Sequence, residues 1–168
     1  MSRLKTAVFL VAGLTLAACS NASWDDTSAG SGGAGQVTPG SVGDPTSPAY
    51  FREAIGDRVL FLVDQSSISP AAQTILAGQA RWLTANPDYV VTIEGHADEQ
   101  GTREYNLALG ARRANAAREY LMSQGVAGSR IQVVSFGKER PIEICSEESC
   151  YSQNRRAVTV LAGGAVVG

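Results

Sequence analysis

The spacing of apolar positions divides this chain into alternating strand and helix segments. Arg58-Val-Leu-Phe-Leu-Val63 is a nearly continuous apolar run of strand length, and Tyr89-Val-Val-Thr-Ile-Glu-Gly95 is rich in β-branched residues. Ile131 to Phe136 and Arg156 to Leu161 read as two further strands. Between the first two strands the period becomes helical, with Ile75, Leu76, Trp82 and Leu83 on one side of a segment running from Ser69-Pro70 to about Asn86. After Thr102 the same period returns in Gly110, Ala114, Ala117 and Leu121, whose small side chains allow close packing on a sheet. Ser47-Pro48 and Ser69-Pro70 are N-caps followed by proline in the first turn, and the first of them predicts a short helix ending near Gly56. Thr102 caps the long helix and Gly125 closes it. The segment between the last two strands, with Lys138-Glu-Arg-Pro141, reads as a loop. The order α-β-α-β-α-β-β contains two βαβ crossovers. It predicts an α/β two-layer sandwich, a mixed four-stranded sheet with its helices on one face.

The N-terminal part follows other rules. Arg3 and Lys5 precede an uncharged, mostly apolar stretch from Thr6 to Ala18, too short to cross a bilayer, which takes about 20 residues. Leu16-Ala17-Ala18-Cys19 looks like a bacterial lipobox, so residues 1–18 read as a signal peptide and Cys19 as the acylated first residue of the mature chain. Several acyl chains, at about 0.8 kcal/mol per buried CH₂, anchor a protein stably without a transmembrane helix. Residues 19–46 are dominated by Gly, Ser, Ala, Thr and Pro without apolar period, and read as a flexible tether. Its mean span is roughly 30 Å and its full extension roughly 95 Å. Residues 47–168 then form one domain. Ser20 is not the aspartate that retains some lipoproteins in the inner membrane, which favours the outer one.

Charge and cysteine content narrow the function. The formal charge of −2 becomes −4 once Arg3 and Lys5 leave with the signal, so the basic footprint of a nucleic-acid binder is missing. Three cysteines are an odd number for an exported protein. If Cys19 carries lipid, Cys145 and Cys150 remain, either as a disulfide or as two free thiols. His96, Asp98, Glu94 and Glu99 cluster in sequence, but His96 is the single histidine and no Gly-x-Ser-x-Gly, His-Glu-x-x-His or phosphate loop is present. A His96-centred metal enzyme is therefore the weakest alternative, and neither a cofactor nor a metal is expected.

The most informative stretch is Glu94-Gly-His-Ala-Asp-Glu-Gln-Gly-Thr-Arg-Glu-Tyr-Asn-Leu-Ala-Leu-Gly-Ala-Arg-Arg113. With Asn154-Arg155-Arg156-Ala157-Val158, it resembles the OmpA-like peptidoglycan-binding domain family, and within it the peptidoglycan-associated lipoproteins. The resemblance spans about residues 47–162. It implies a non-enzymatic wall anchor at the outer membrane, facing the periplasm, with peptidoglycan as ligand. It also implies TolB and other Tol proteins of the Tol–Pal system as partners, with a role in envelope integrity and cell division. Another envelope system using the same module is the alternative.

The resemblance assigns Asp98 and Arg113 to diaminopimelate of the wall peptide. The free end of that residue carries an ammonium and a carboxylate on one carbon, suited to an acid and to a planar guanidinium. On spacing alone a structural salt bridge is the favoured reading of the pair. A helix climbs roughly 16 Å between Thr102 and Arg113, so the two meet only if the intervening loop folds back. Asp64, Ala97 and Leu109 match pocket positions, although Asp64 could instead cap its turn with Ser66 and Ser67, and Leu109 could be core. Backbone N–H groups of Ala97 to Glu99 and the helix start near Thr102 are further candidate anion donors. Glu94, His96 and Tyr105 are the expected partner surface, Asn106 is expected to order the loop, and Arg155 and Arg156 are expected at the pocket rim or on a solvated face.

Overall fold

The computed structural model describes residues 37–163, so the signal segment, Cys19 and most of the tether lie outside the described residues. Helix α1 (Pro48–Tyr50) starts where Ser47 Oγ accepts the Tyr50 N–H at 3.0 Å, and continues as a wider π turn over Phe51–Gly56. Strand β1 (Arg58–Leu60), helix α2 (Pro70–Ala85), strand β2 (Tyr89–His96) and helix α3 (Arg103–Ser123) follow. Strand β3 (Ile131–Gly137), helix α4 (Glu148–Asn154) and strand β4 (Arg156–Gly163) complete the chain. Ser69 and Thr102 cap α2 and α3 through the N–H groups of Ala72 and Tyr105. At the far end of α3, Gly125 adopts φ 97° while the Val126 N–H reaches Leu121 O and the Gly125 N–H reaches Met122 O. This is a Schellman turn, and Val126 and Leu121 are both buried in the core, the apolar contact that often accompanies the motif.

The strands form one sheet in the order β1-β4-β2-β3. β2 and β3 are parallel, whereas β4 runs antiparallel to both β1 and β2. Both βαβ crossovers are present, but β4 enters between β1 and β2 and becomes a central strand. The core lies between sheet and helices, with Leu76, Leu83, Ile93 and Leu121 fully buried. Each such side chain contributes about 1.5–3 kcal/mol relative to exposure. Gln79, also fully buried, gives its amide N–H to Gly56 O and accepts the Thr159 hydroxyl, so no polar group is stranded there.

Three expectations change. The apolar run 58–63 does not remain a strand: β1 ends at Leu60, and Leu62 and Val63 are exposed. The chain leaves the sheet there because the carbonyls of Leu62 and Gln65 turn inward onto Arg113. The cysteine loop contains the short helix α4, which has no apolar stripe to announce it. Residues 37–46 are built into turns rather than free tether: Asp44 accepts N–H groups from Gly40 and Thr46, and Trp82 Nε1 donates to Pro45 O at 2.7 Å.

Candidate functional site

β2 delivers Asp98 to one end of the sheet, and β4 brings Arg155 to the same place from 57 residues away. Arg155 Nη1 donates to Asp98 Oδ2 at 3.0 Å in a buried pair, and its Nε donates to Phe61 O at 3.2 Å. The outward edge of the same guanidinium is held by both carboxylate oxygens of Glu148, on α4. Glu148 raises the Arg155 pKa, and Arg155 in turn lowers that of Glu148. The second Asp98 oxygen accepts the Gln100 N–H at 3.2 Å, closing the loop on itself.

Arg113 projects from α3 into the neighbouring space, 0 % exposed. Its Nε donates to Gln65 O at 2.8 Å, Nη1 to His96 O at 2.9 Å and Nη2 to Leu62 O at 3.1 Å. Burial lowers its pKa to about 10, with Asp98 opposing that shift and Arg155 adding to it, so the group stays charged at neutral pH. Asp98 and Arg113 therefore share one electrostatic neighbourhood without a direct hydrogen bond. The acid is paired with Arg155, and the guanidinium with three carbonyls. Three of its five N–H groups are committed in this way.

The remaining expected residues are placed unevenly. Asp64, exposed and at φ 54°, accepts the Tyr105 hydroxyl at 3.1 Å rather than capping a turn with Ser66 and Ser67. Asn106 orders the loop by donating to Gln100 O at 2.7 Å. The Ala97 N–H is not free for an anion, because it donates to Gly137 O at 2.8 Å. Leu109 is buried, as are Arg155 and Arg156, so neither arginine forms a solvated face. Arg156 donates to Asn154 O and Arg140 O beneath the loop after β3. Glu148 carried no signal in the sequence, since the helix α4 that sets it opposite Arg155, its own C-cap seven positions on, was itself not legible there. Among the described residues no group of three or more His, Cys, Asp or Glu side chains is gathered as a metal would need.

Tyr105 is exposed and Glu94 partly so, but His96 is 1 % exposed and offers no surface to a partner. Its ring stacks on Phe136, both nitrogens lack hydrogen-bond partners, and Nε2 stands 3.6 Å from Glu94 Oε2. Burial lowers its pKa from 6.5 to about 4, with repulsion from Arg156 and Arg140 adding to the effect. The unfolded chain therefore binds more protons between those two values. The contribution of His96 to stability is fully present above pH 6.5 and is lost as the pH drops towards 4. His96→Phe should remove about 2 kcal/mol of that acid loss, after solvent screening, while changing stability at pH 7 little. Urea midpoints of parent and variant between pH 7 and 4.5 check this, and parallel curves would show that another group is responsible.

An acid, two arginines and a second acid gathered at one end of such a sheet can be compared with known proteins. The OmpA family model matches residues 60–155. The chain is 52 % identical to the peptidoglycan-associated lipoprotein of Mesorhizobium japonicum, over 97 % of this chain and 95 % of that one. It is 51 % identical to that of Agrobacterium fabrum, over 97 % and 90 %. The crystal structure of the peptidoglycan-associated lipoprotein from Burkholderia pseudomallei superposes with TM-score 0.64 at 38 % identity, covering 72 % of this chain and 98 % of that one. The C-terminal domain of Helicobacter pylori MotB shares the fold, with TM-score 0.60 at 18 % identity, covering 65 % of this chain and 86 % of that one. The chain belongs to the OmpA family, among its peptidoglycan-associated lipoproteins.

Proposed function

We propose that this protein is an outer-membrane lipoprotein, anchored through acylated Cys19, whose periplasmic domain holds peptidoglycan without a covalent bond. The role is binding rather than catalysis. It ties membrane to wall as part of the Tol–Pal system and supports envelope integrity and constriction at division. Labelling of Cys19 by palmitate, lost in Cys19→Ser, checks the anchor.

The observation that carries this reading is the convergence of Asp98, Arg113 and Arg155 around the loop that follows β1. A free diaminopimelate end presents an ammonium to Asp98, with Asp64 on the exposed side of the site. Its carboxylate takes over positions on Arg113 now held by the neutral carbonyls of Leu62 and Gln65. A carboxylate accepts a stronger, charge-assisted bond from guanidinium than an amide carbonyl does, and the displaced carbonyls belong to the exposed residues Leu62 and Gln65, which turn them to water. Leu109 then supports the site from within α3, and Ala97 keeps the loop on β3, rather than contacting the ligand.

TolB docks over Glu94 and Tyr105 in this reading. Since Tyr105 is bonded to Asp64, that surface is continuous with the loop over Arg113, and wall and TolB compete. The test is co-sedimentation of the full chain with purified sacculi. Asp98→Asn, which keeps the shape of the side chain, should bind at least about tenfold less well while remaining folded. Free diaminopimelate should compete, and pimelate, which lacks the ammonium groups, should not. Added TolB should release the chain from the wall. Equal binding by Asp98→Asn, or equal competition by pimelate, would contradict the assignment.

A further inference from the structure

The turn closed by Cys145 and Cys150 does more than shorten a loop. The two residues are joined with their Cα atoms 5.8 Å apart, five positions apart in the chain. Helix α4 begins inside that ring. It has seven residues, and its N-cap Glu147 makes no side-chain capping bond. A helix of that length is not stable alone, and here the covalent ring spans the end that a cap would otherwise secure.

From this ring and the turn beyond it, two side chains reach the loop carrying Asp98, and a third reaches the arginine that holds Asp98. Ser146 Oγ donates to Glu99 Oε1 at 3.0 Å, and Tyr151 OH donates to the same oxygen at 2.9 Å. Glu148 takes the outer edge of Arg155, whose inner edge holds Asp98. The contacts made by Ser146, Tyr151 and Glu148 lie outside the apolar core, and Ser146 and Glu148 are exposed. Breaking them leaves the sheet and the two long helices intact and loosens the loop of residues 98–101, which is then held by Asn106 on Gln100 O and by Lys138 on Glu99 O and Gly101 O.

We infer that the Cys145–Cys150 ring is a clasp that presets the Asp98 loop and Arg155 for ligand, with Ser146, Glu148 and Tyr151 as positioning residues. This rests on the wall-binding reading above. Opening the clasp makes the order of the loop a cost of binding instead of a property of the free protein. Reduction by a dithiol breaks the Sγ–Sγ bond, leaves two thiols and converts the reagent to its own disulfide.

The experiment compares the oxidised full chain with the same chain treated with dithiothreitol and with the Cys145→Ser/Cys150→Ser double variant. Sacculus affinity and amide exchange are both followed. Opening the ring should weaken binding roughly tenfold, the loss expected when two or three side chains must be ordered on binding. Amides of residues 98–101 should exchange faster, with those of β2 and α3 unchanged. Ser146→Ala/Tyr151→Phe, which keeps the bond and removes the latch, should show the same weakening, and reduction should then add little. Equal affinity and equal exchange with the ring open or closed would overturn the inference. So would an undiminished effect of reduction in the latch variant. If the oxidised parent fails to bind sacculi, the functional reading falls, while exchange at residues 98–101 still decides whether the clasp exists.

Discussion

Arg113→Lys should lose at least about tenfold in sacculus affinity and roughly 2–4 kcal/mol of stability, although it conserves the charge. The guanidinium meets the carbonyls of Gln65, His96 and Leu62 with three different nitrogens, at 2.8, 2.9 and 3.1 Å. A lysine ammonium is one point on a flexible stem and cannot span all three. At least one buried carbonyl loses its partner, at about 1–3 kcal/mol, and the loop 62–65 loses the anchor that draws it out of β1. A domain of this size has about 5–15 kcal/mol to lose, so the variant should still fold. Binding falls for a separate reason: the planar two-point grip on a carboxylate is gone. Affinity measured well below the melting temperature of the variant separates the two effects. Parent-like affinity in a folded variant would remove Arg113 from the ligand site.

Gly95→Ala should be the most damaging small substitution in the sheet. A Cβ there would stand 2.6 Å from the carbonyl carbon of Gly110 and 3.1 Å from the Ala114 Cβ. The obstacle is main chain of α3, which cannot rotate away as a side-chain tip would. Either α3 lifts from β2 or the strand bends, and both disturb Ile93, Leu121 and the position of Arg113. The expected loss is about 4 kcal/mol, above the usual range for overpacking, and a fall in melting temperature of roughly 15 °C. Gly125→Ala provides the contrast. Its Cβ would meet no atom within 4 Å, so its left-handed φ of 97° alone should cost about 1 kcal/mol. Thermal melts of the two variants check the difference; equal losses would show that close approach of helix and strand is not the limiting contact.

Much of the fold was legible because its signals are local. A capping serine or threonine bonds to an N–H three residues on, so Ser47, Ser69 and Thr102 declare their helices in the sequence. The stripe Gly110, Ala114, Ala117, Leu121 is buried on one side of α3 as its spacing predicts. Helix α4 had no such signal, since its order comes from a covalent ring and an ion pair rather than from an apolar face. The run 58–63 misled for a related reason: apolar content describes what a segment can bury, and the need of Arg113 for carbonyls took Leu62 and Val63 out of the sheet.

What the sequence alone determined, then, is the succession of the strands and of every helix but α4, the family, and the set of charged groups available for the site. The tertiary structure decided which of those groups meet. Asp98 pairs with Arg155 rather than Arg113, across 57 positions, and Arg113 finds Leu62 across 51. Local geometry constrains neither choice, because a side chain beyond the first turns of its own element takes whichever partner the packing of other elements brings within 3 Å or so. The insertion of β4 between β1 and β2 is what brings Arg155 there, and that strand order exists only once the whole sheet has formed.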